Sequence, residues 1–543
     1  MLKKLLFLSV ILACANAEIT IQYINDKPAG RVKNFMIWQY LKQDITPKQA
    51  DEAYAQVDGK NRKIEKIYLK KSSNKIIQKE IRCKSEKDLL SIKDEECFKK
   101  AMSPYKTLNL STSKREELLA RIDSNATKNM VKIQAEPYSE EAYEKYDSST
   151  VLTMFVSTEK KYRQSNLNLL LSKSFVNSIF SKNVSSWKKF TLIKTVVNDD
   201  KLDKLQKSFL LLNGENINSK SNFLLGLNHL RHSSLDGALK HFKLAKKIST
   251  QKLEKDKNTF WMYQATKDKK YLNELVSGGN INIYTLYASE KIGKNIDNYF
   301  SSLKTTDEKS DKNIYDPFVW AEIMKEIKET PKESLLELAK KYNQKEMEPV
   351  QAYILQRAND FKMNVYLMPY EEYLGEVSND EKALIYALML QESYMVPSAL
   401  SRSFALGLMQ LMPFVTDDLS KRIKKPISSY SDMFNPDYNI KYALKHLKWM
   451  KKSLYHPLFT AYAYNGGVGY FRRHLATGAF TKGKYEPFMS MEMMLNSQSR
   501  EYGKKVLANY VMYKKILGEE ISIISLLKST THLKKTDRFR SQE

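Results

Sequence analysis

Glu392 has the sequence context of a carboxylate that transfers protons in this 543-residue chain. Leu384 and Leu388 lie eight and four residues before it, so helical spacing places the three side chains on one face. A carboxyl group at the inner end of an apolar helix face loses hydration, and its pKa rises toward the range of a general acid. The segment by itself also allows a frayed last turn that leaves Glu392 in solvent.

The helix that must position this carboxylate is predicted over residues 381–392. Asn379 or Asp380 can cap its start, and the Val396-Pro397 pair stops it. Proline, glycine and short polar residues interrupt the helical pattern between 369 and 379, where we expect a domain junction.

Three further motifs follow that helix in a fixed order. They are GLMQLMP at 407–413, FNPDYNI at 434–440 and AYNGG at 463–467. Together with Glu392-Ser393, their order and spacing resemble the soluble lytic transglycosylases, a family with a lysozyme-like catalytic fold. The resemblance covers residues 370–518, and four motifs in order are hard to obtain by chance.

The resemblance implies a mechanism with a single carboxyl group. Glu392 would protonate the oxygen that links N-acetylmuramic acid to N-acetylglucosamine in peptidoglycan. It would then take a proton from the muramic C6 hydroxyl, which attacks C1 and closes a 1,6-anhydro ring. The substrate's acetamido group would assist, where most glycosidases use a second carboxylate. Tyr464 would hydrogen-bond near Glu392 and help set its protonation.

The resemblance also implies a set of residues that contact the glycan and its peptide stems. The amide of Gln410 and the apolar side chain of Met409 would line the sugar groove. The hydroxyl of Ser401 could reach Glu392 or substrate, and Asn465 would hold the Tyr464 loop. The complete implied substrate-binding set is Ser401, Met409, Gln410, Asn465, Glu492, Gln498, Arg500 and Tyr502.

Two departures from the family pattern concern substrate preference. The last motif usually reads E-x-x-P-x-x-E-T-R-x-Y, and Leu495 replaces its proline while Gln498 replaces its second glutamate. Gln498 can donate a hydrogen bond but carries no charge, which changes the expected recognition of the peptide stem. Phe404 stands where the family usually has glycine, so a narrower groove or an altered preference is expected there.

An all-α chain is predicted, with a solenoid ahead of the lysozyme-like domain. Ser221 to Lys247 resembles a tetratricopeptide-like helix pair with small residues at its crossing, and such pairs must stack to bury their faces. Large family members have a solenoid that curls into a ring around the catalytic domain. The predicted domains are 18–368 for the solenoid, 369–520 for the catalytic domain and 521–543 for a polar tail, disordered from Lys528.

The N-terminus is typical of a secretory signal peptide over residues 1–17. Lys3 and Lys4 precede an apolar run, and Ala15-Asn16-Ala17 supplies a small-x-small cleavage site. Export to the periplasm is expected, with lipid anchoring through Cys14 as the alternative.

An oxidising compartment allows Cys83 and Cys97 to form a disulfide. The alternative is that both are buried free thiols.

The net charge of +27 favours polyanionic partners. Export argues against nucleic acid and leaves three candidate partners: peptide-stem carboxylates, an anionic membrane surface or other cell-wall proteins. A charged surface that only interacts with solvent explains the net charge equally well.

Seven histidines show no metal spacing, and no cofactor motif is present, so we expect neither metal nor organic cofactor. A monomer is expected. A lysozyme-type hydrolase, an inactive wall-binding scaffold and a polyanion-binding helical repeat protein remain as alternatives.

Overall fold

The computed structural model describes residues 19–540. The expected signal peptide, with Cys14, lies outside that range. Between its limits the chain forms α-helices, short 3-10 turns and isolated β-bridges, with no strand, which confirms the all-α prediction. None of the helices in 19–540 combines the length and apolar character needed to cross a membrane.

The N-terminal part is a superhelix of short helices. Its α-helices are α1 (Ile21–Asn25), α2 (Arg31–Tyr40), α3 (Pro47–Tyr54), α4 (Arg62–Lys71), α5 (Lys75–Ser85), α6 (Glu95–Ala101), α7 (Pro104–Thr107), α8 (Thr112–Arg121), α9 (Asn125–Ile133), α10 (Glu140–Glu144), α11 (Ser148–Ser157), α12 (Lys160–Asn166), α13 (Lys173–Ile179), α14 (Ser186–Val197), α15 (Asp203–Phe209), α16 (Ser219–Arg231), α17 (Leu235–Ile248), α18 (Lys252–Thr266), α19 (Lys270–Ser277), α20 (Ile283–Ile292), α21 (Pro317–Glu329), α22 (Leu335–Lys341) and α23 (Glu348–Ala358).

The lysozyme-like part follows, built around the long helices α24 and α30. Its α-helices are α24 (Asn379–Ser393), α25 (Pro413–Ser420), α26 (Pro436–Lys451), α27 (Pro457–Gly466), α28 (Val468–Leu475), α29 (Phe488–Glu492), α30 (Ser497–Ile516), α31 (Ile523–Ser529) and α32 (Leu533–Thr536).

The predicted helix pair is formed by α16 and α17, which cross closely at a glycine. A Cβ atom added to Gly226 would lie 2.4 Å from the ring of Phe242, so no larger residue fits. The same holds for Gly237, where a Cβ would lie 2.1 Å from the ring of His229. The prediction of small residues at this crossing is confirmed.

Cys83 and Cys97 form a disulfide that joins α5 to α6. The predicted pairing is therefore confirmed, and the alternative of two free thiols is not. Closing a loop of this length stabilises the folded chain by about 3 kcal/mol in the loop-entropy treatment.

The first helices of the superhelix pack onto the catalytic domain. The Arg31 guanidinium donates to the Leu400 carbonyl at 2.8 Å. Phe35 and Trp38 on α2 pack against Phe404, and their ring centroids lie 5.3 and 5.5 Å from that of Phe404.

A second junction between the superhelix and the catalytic domain lies on α20, where the Tyr284 hydroxyl donates to Glu492 at 2.6 Å. The superhelix thus returns to the catalytic domain at two places, as a ring-like arrangement requires.

Phe404 has a different role from the one its sequence position suggested. Its side chain is fully buried beneath α2, so it does not narrow a solvent-facing groove. Its φ of +61° explains why glycine suits this position, because a side chain in the left-handed region costs free energy. Here that cost is offset by aromatic packing against Phe35 and Trp38.

The expected disorder after Lys528 is wrong up to residue 540. Helices α31 and α32 are followed by a buried ion pair between Asp537 and Arg540, whose Nη2 lies 2.7 Å from the carboxylate. Arg540 also donates to the Phe480 carbonyl at 2.8 Å. Asp537 and Arg540 thus pair with each other, and Arg540 also fastens the segment to backbone of the catalytic domain.

We predict that Phe404→Ala loosens α2 from the catalytic domain. Removing a buried phenyl ring costs about 3–5 kcal/mol, whereas Phe404→Gly should lose about 1 kcal/mol less because glycine tolerates the positive φ. The measurements are the urea midpoint and the rate of proteolysis in the 41–46 turn.

Phe414→Ala is the matched control, since Phe414 is 68% exposed. Equal midpoints for the Phe404 and Phe414 variants would contradict an anchoring role for Phe404.

Candidate active site

Helix α24 begins with a capping box and carries Glu392 in its last turn. The Ser378 hydroxyl accepts from the Glu381 amide, and the Glu381 carboxylate accepts from the Ser378 amide. The cap is therefore Ser378, one residue before Asn379 and two before Asp380, the two caps that we predicted. Tyr394 ends the helix in the left-handed conformation, with φ +52°.

Glu392 is partly buried and accepts a hydrogen bond from the Tyr502 hydroxyl at 2.8 Å. Burial raises the pKa of Glu392 to about 7, and the Tyr502 hydrogen bond lowers it in part. A carboxyl group with a pKa near neutrality can give up a proton and take one back within a single reaction. The frayed, solvated Glu392 that the sequence left open is not what the structure shows.

Tyr464 lies near Glu392 but donates its hydroxyl hydrogen bond elsewhere. Its acceptor is the Met409 carbonyl, at 2.7 Å. Burial and the nearby Glu392 carboxylate raise the pKa of Tyr464 well above its usual value. The hydrogen bond to the Glu392 carboxyl group comes from Tyr502. Tyr464, which we expected to hydrogen-bond near Glu392, fastens α27 to the 407–411 turn.

The 399–411 turn is held by its own side chains. The Gln410 amide donates to the carbonyls of Ala399 and Gly407, each at 2.9 Å. The Ser401 hydroxyl accepts from the Ala405 amide at 2.8 Å. The amide group of Gln410 and the hydroxyl of Ser401, expected to face substrate or Glu392, thus have intramolecular partners that shape the turn.

Met409 differs more clearly from its expected place. Its side chain is 0% exposed, so it packs in the core and does not line a groove. Its backbone amide donates to the Asn439 side chain at 2.8 Å. The Asn439 amide group in turn donates to the carbonyls of Leu406 and Met433, at 2.9 and 2.7 Å. Asn439 is a positioning residue that we did not single out, although the 434–440 motif contained it.

Gly407 is the glycine on which this turn depends. Its φ is +69°, and an added Cβ would lie 2.2 Å from the Met433 carbonyl oxygen. Backbone and Asn439 occupy the space a side chain would need, so no other residue fits without moving the turn.

Glu492 is an internal ion-pair partner and cannot contact substrate as we expected. Its side chain is 2% exposed, and the Lys504 ammonium lies 2.9 Å from it. Lys504 is also 3.0 Å from Glu501, which Arg500 contacts at 2.9 Å. Burial alone would raise the pKa of Glu501, but Lys504, Lys257 and Arg500 together hold it well below its usual range.

A cavity of about 420 Å³ lies between the two domains. Of the residues predicted for the site, those that line it are Glu392, Asn465, Gln498, Arg500 and Tyr502. Asn465 lies on α27 rather than in a loop, and its side chain accepts from the Ser499 hydroxyl at 3.0 Å. Among residues 19–540, no group of three His, Cys, Asp or Glu side chains is arranged to hold a metal ion.

The opposite wall of the cavity comes from the superhelix, which sequence reasoning missed. Lys220 and Phe223 on α16 and Lys257 on α18 face the same space as Glu392. Lys257 pairs with Glu254 at 2.6 Å and lies over the ring of Phe223 at 4.3 Å. Lysine-rich helices are usually solvated, and no local pattern marks these three residues as neighbours of an active site.

We predict that Tyr502→Phe raises the pKa of Glu392 above about 7. The lost hydrogen bond favours the ionised carboxylate, so without it the protonated form persists to higher pH. The measurement is the pH dependence of the Glu392 carboxyl carbon signal in NMR, assigned by its loss in Glu392→Gln.

Tyr510→Phe is the control, because Tyr510 lies on the same helix and donates to Asp380 at 3.0 Å. A titration of Glu392 that is unchanged in Tyr502→Phe would contradict the hydrogen bond.

We predict that Lys504→Met destabilises the protein by about 3–5 kcal/mol, because it leaves the buried Glu492 carboxylate without its cation. The neighbouring Lys505→Met should change stability by less than about 0.5 kcal/mol, since Lys505 is exposed. Thermal unfolding at neutral pH compares the two, and equal midpoints would show that the Glu492 pair is dispensable.

Comparison with known proteins identifies the catalytic domain. The Transglycosylase SLT domain family matches residues 370–486, and a comparison with curated protein sequences finds no match. The 70 kDa soluble lytic transglycosylase from Escherichia coli is similar in fold, with 14% identity and a TM-score of 0.51 over 94% of this chain and 84% of that one. A complex of the 70 kDa enzyme with bulgecin A gives 14% identity and a TM-score of 0.52, over 92% of this chain and 84% of that one.

At this identity the two solved structures establish the fold alone, including the superhelix ahead of the lysozyme-like domain. The family assignment comes from the domain match, within which Glu392, the 407–413 turn and Tyr464 all lie. The chain therefore carries a Transglycosylase SLT domain at residues 370–486, behind a superhelix like that of the two solved structures.

Proposed function

We propose that this protein is a peptidoglycan lytic transglycosylase, which cleaves the β-1,4 bond between N-acetylmuramic acid and N-acetylglucosamine without water and releases 1,6-anhydro products. The observation that carries the proposal is Glu392, a partly buried carboxyl group with a pKa of about 7 at the edge of an interdomain cavity. One group with that pKa can serve as acid in the first half of the reaction and as base in the second.

In the first half, the protonated Glu392 donates its proton to the bridging oxygen. The bond between muramic C1 and that oxygen breaks, and the N-acetylglucosamine side leaves with a new hydroxyl group. The Tyr502 hydrogen bond then stabilises the carboxylate that remains on Glu392. The substrate's acetamido oxygen is the internal group that supports the positive charge developing at C1.

In the second half, the Glu392 carboxylate takes the proton from the muramic C6 hydroxyl. The C6 oxygen forms a bond to C1 and closes the anhydro ring, and Glu392 returns to its protonated state. No water is consumed, and the enzyme ends in the form in which it began. Since C6 and C1 belong to one sugar, the attack is intramolecular and needs no positioned water.

The other carboxylates of the cavity support this one-carboxyl mechanism over a two-carboxylate hydrolysis. Glu254 is paired with Lys257 at 2.6 Å, and Glu501 is paired with Arg500 and Lys504. A second carboxylate acting as base or nucleophile must be unengaged and placed across the scissile bond. Both candidates that line the cavity are held by cations.

The Cys83–Cys97 disulfide supports a periplasmic location, because disulfides persist in oxidising compartments. The intact wall polymer is met in that compartment, so the proposed substrate and the proposed location agree.

We expect Glu392→Gln to lower the rate of wall cleavage by about 10²–10⁴-fold, because the amide keeps the shape and removes the transferable proton. Glu520→Gln is the matched control, an exposed carboxylate of the same part of the chain. The measurement is mass spectrometry of muropeptides released from purified peptidoglycan.

Products lighter than hydrolysed muropeptides by one water, absent with Glu392→Gln, are the expected result. Products of full hydrolysed mass would assign a lysozyme-type hydrolase instead. Absence of products with the wild type, while wall binding persists, would leave only a binding scaffold.

A further inference from the structure

A second cavity, of about 620 Å³, lies where the first helices of the superhelix meet the catalytic domain. Its walls come from α2, from the 58–61 loop with the first turn of α4, and from residues 402–403 of the 399–411 turn. None of the residues that line it belongs to the cavity beside Glu392. The proposed cleavage reaction therefore does not account for this second cavity.

Positive charge dominates the lining of the second cavity. Its cations are Arg31, Lys60, Arg62, Lys63 and Arg402. Five cations against one carboxylate, that of Asp58, leave a surplus of four positive charges. Among the ion pairs of residues 19–540, none involves any of these six residues. The protein itself thus leaves the charge of this cavity uncompensated within the described residues.

Neutral backbone groups hold two of the cations in place. The Arg31 guanidinium donates to the Leu400 carbonyl at 2.8 Å, and the Lys63 ammonium donates to the Ser403 carbonyl at 2.6 Å. Each contact uses one donor of the cation, so further N–H groups of the guanidinium and the ammonium can donate to a ligand. Because a carbonyl carries no net charge, neither contact removes the surplus.

The 58–61 loop is fixed on both sides of the cavity. The Asn34 side chain donates to the Asp58 carbonyl at 2.7 Å and accepts from the Asp58 amide at 2.9 Å. The Asn61 amide group donates to the Arg402 carbonyl at 3.4 Å. The loop and the 399–411 turn are therefore held in a fixed relation, as a preformed binding site requires.

The cations of this cavity also repel one another. Partial burial lowers the pKa of Arg31, and the charge of Arg402 lowers it further. Burial also lowers the pKa of the Lys63 ammonium. Neighbouring cations that lose hydration are costly to the fold, and an anion placed between them removes that cost. The arrangement is that of a site whose charge is complemented by a ligand.

We propose that this cavity binds a phosphate-bearing anion through the guanidinium groups of Arg31, Arg62 and Arg402. A phosphate group concentrates three acceptor oxygens and about two negative charges at one centre, so it can meet guanidinium groups that come from three separate segments. A single carboxylate offers fewer oxygens and only one charge. A ligand bound here contacts the superhelix and the 399–411 turn together, so it stabilises their junction by mass action.

Small anions test the chemistry of the site on the full chain. Inorganic phosphate and pyrophosphate are the probes, malonate is a dicarboxylate of similar charge, and sodium chloride controls for ionic strength. Calorimetry measures binding, and thermal unfolding measures the midpoint. We expect phosphate to bind about tenfold more tightly than malonate and pyrophosphate to bind more tightly still, with a rise in midpoint that chloride does not reproduce.

Arginine variants test which residues form the site. Arg62 and Arg402 are exposed, and within residues 19–540 neither side chain has an ion pair, so replacing them leaves the packing intact. Arg62→Gln and Arg402→Gln should each weaken pyrophosphate binding about tenfold, and Arg62→Lys about threefold because it keeps the charge and loses the planar fork. Arg473→Gln is the matched control, an exposed arginine on α28 with the same change in net charge.

Equal binding of malonate and phosphate, no binding of phosphate or pyrophosphate, or an equal loss in Arg473→Gln would overturn the site. Vesicles that contain phosphatidylglycerol, compared with phosphatidylcholine vesicles, separate the two sources of the ligand. Vesicle binding that is lost in Arg62→Gln would assign a lipid headgroup. Binding of the soluble phosphates without such vesicle binding would assign a free phosphate, and either result supports the site.

Discussion

Lys504 lies buried beneath the candidate active site and pairs with two carboxylates, Glu492 and Glu501, while the Tyr284 hydroxyl completes the partners of Glu492. A buried charge without its partner is costly, so the acids and bases of this region must balance within the fold. Glu392 is the carboxyl group left outside that balance. Its pKa reflects burial opposed only by a tyrosine hydroxyl, which suits the proposed role of one group as both acid and base.

Helix α30 carries both the hydrogen-bond donor to Glu392 and the cations that balance the buried carboxylates. Tyr502 faces Glu392, Lys504 faces Glu492, and Arg500 with Glu501 forms the rim of the cavity. Movement of α30 would change the protonation of Glu392 and the balance of the buried charges at the same time. The contact between Tyr284 and Glu492 extends this dependence to α20, so the superhelix supports the site as well as enclosing it.

The surroundings of Phe404 and Gln498 explain what each of these two departures from the family pattern does. Phe404 occupies a left-handed position suited to glycine and uses its ring to anchor α2, so the change concerns domain packing rather than the groove. Gln498, in contrast, faces the cavity and alters its charge. The sequence marks both positions as unusual, but only their surroundings separate a change in packing from a change in recognition.

Local rules account for what could be predicted from the sequence. Helical spacing was enough to place Glu392 with Leu384 and Leu388, because side chains four residues apart share a helix face whatever surrounds the helix. The 407–413 and 434–440 motifs could also be recognised in the sequence, because few residue types can replace Gly407 or Asn439. Gly407 has no space for a side chain, and Asn439 donates a hydrogen bond to the turn. The disulfide was predictable in part, because only two cysteines follow the expected signal peptide.

Tertiary packing decided the partners of those residues. Tyr502 rather than Tyr464 donates to Glu392 across 110 positions of sequence, and Tyr284 contacts Glu492 across 208. Glu492 and Met409 carry family motifs yet are buried, which depends on neighbours far away in the chain. The sequence by itself determined which residue is the candidate for the chemistry and which turns surround it. The three-dimensional fold alone decided the hydrogen-bond donor, the charge balance and the lysine-bearing wall opposite Glu392, because these arise where distant helices meet.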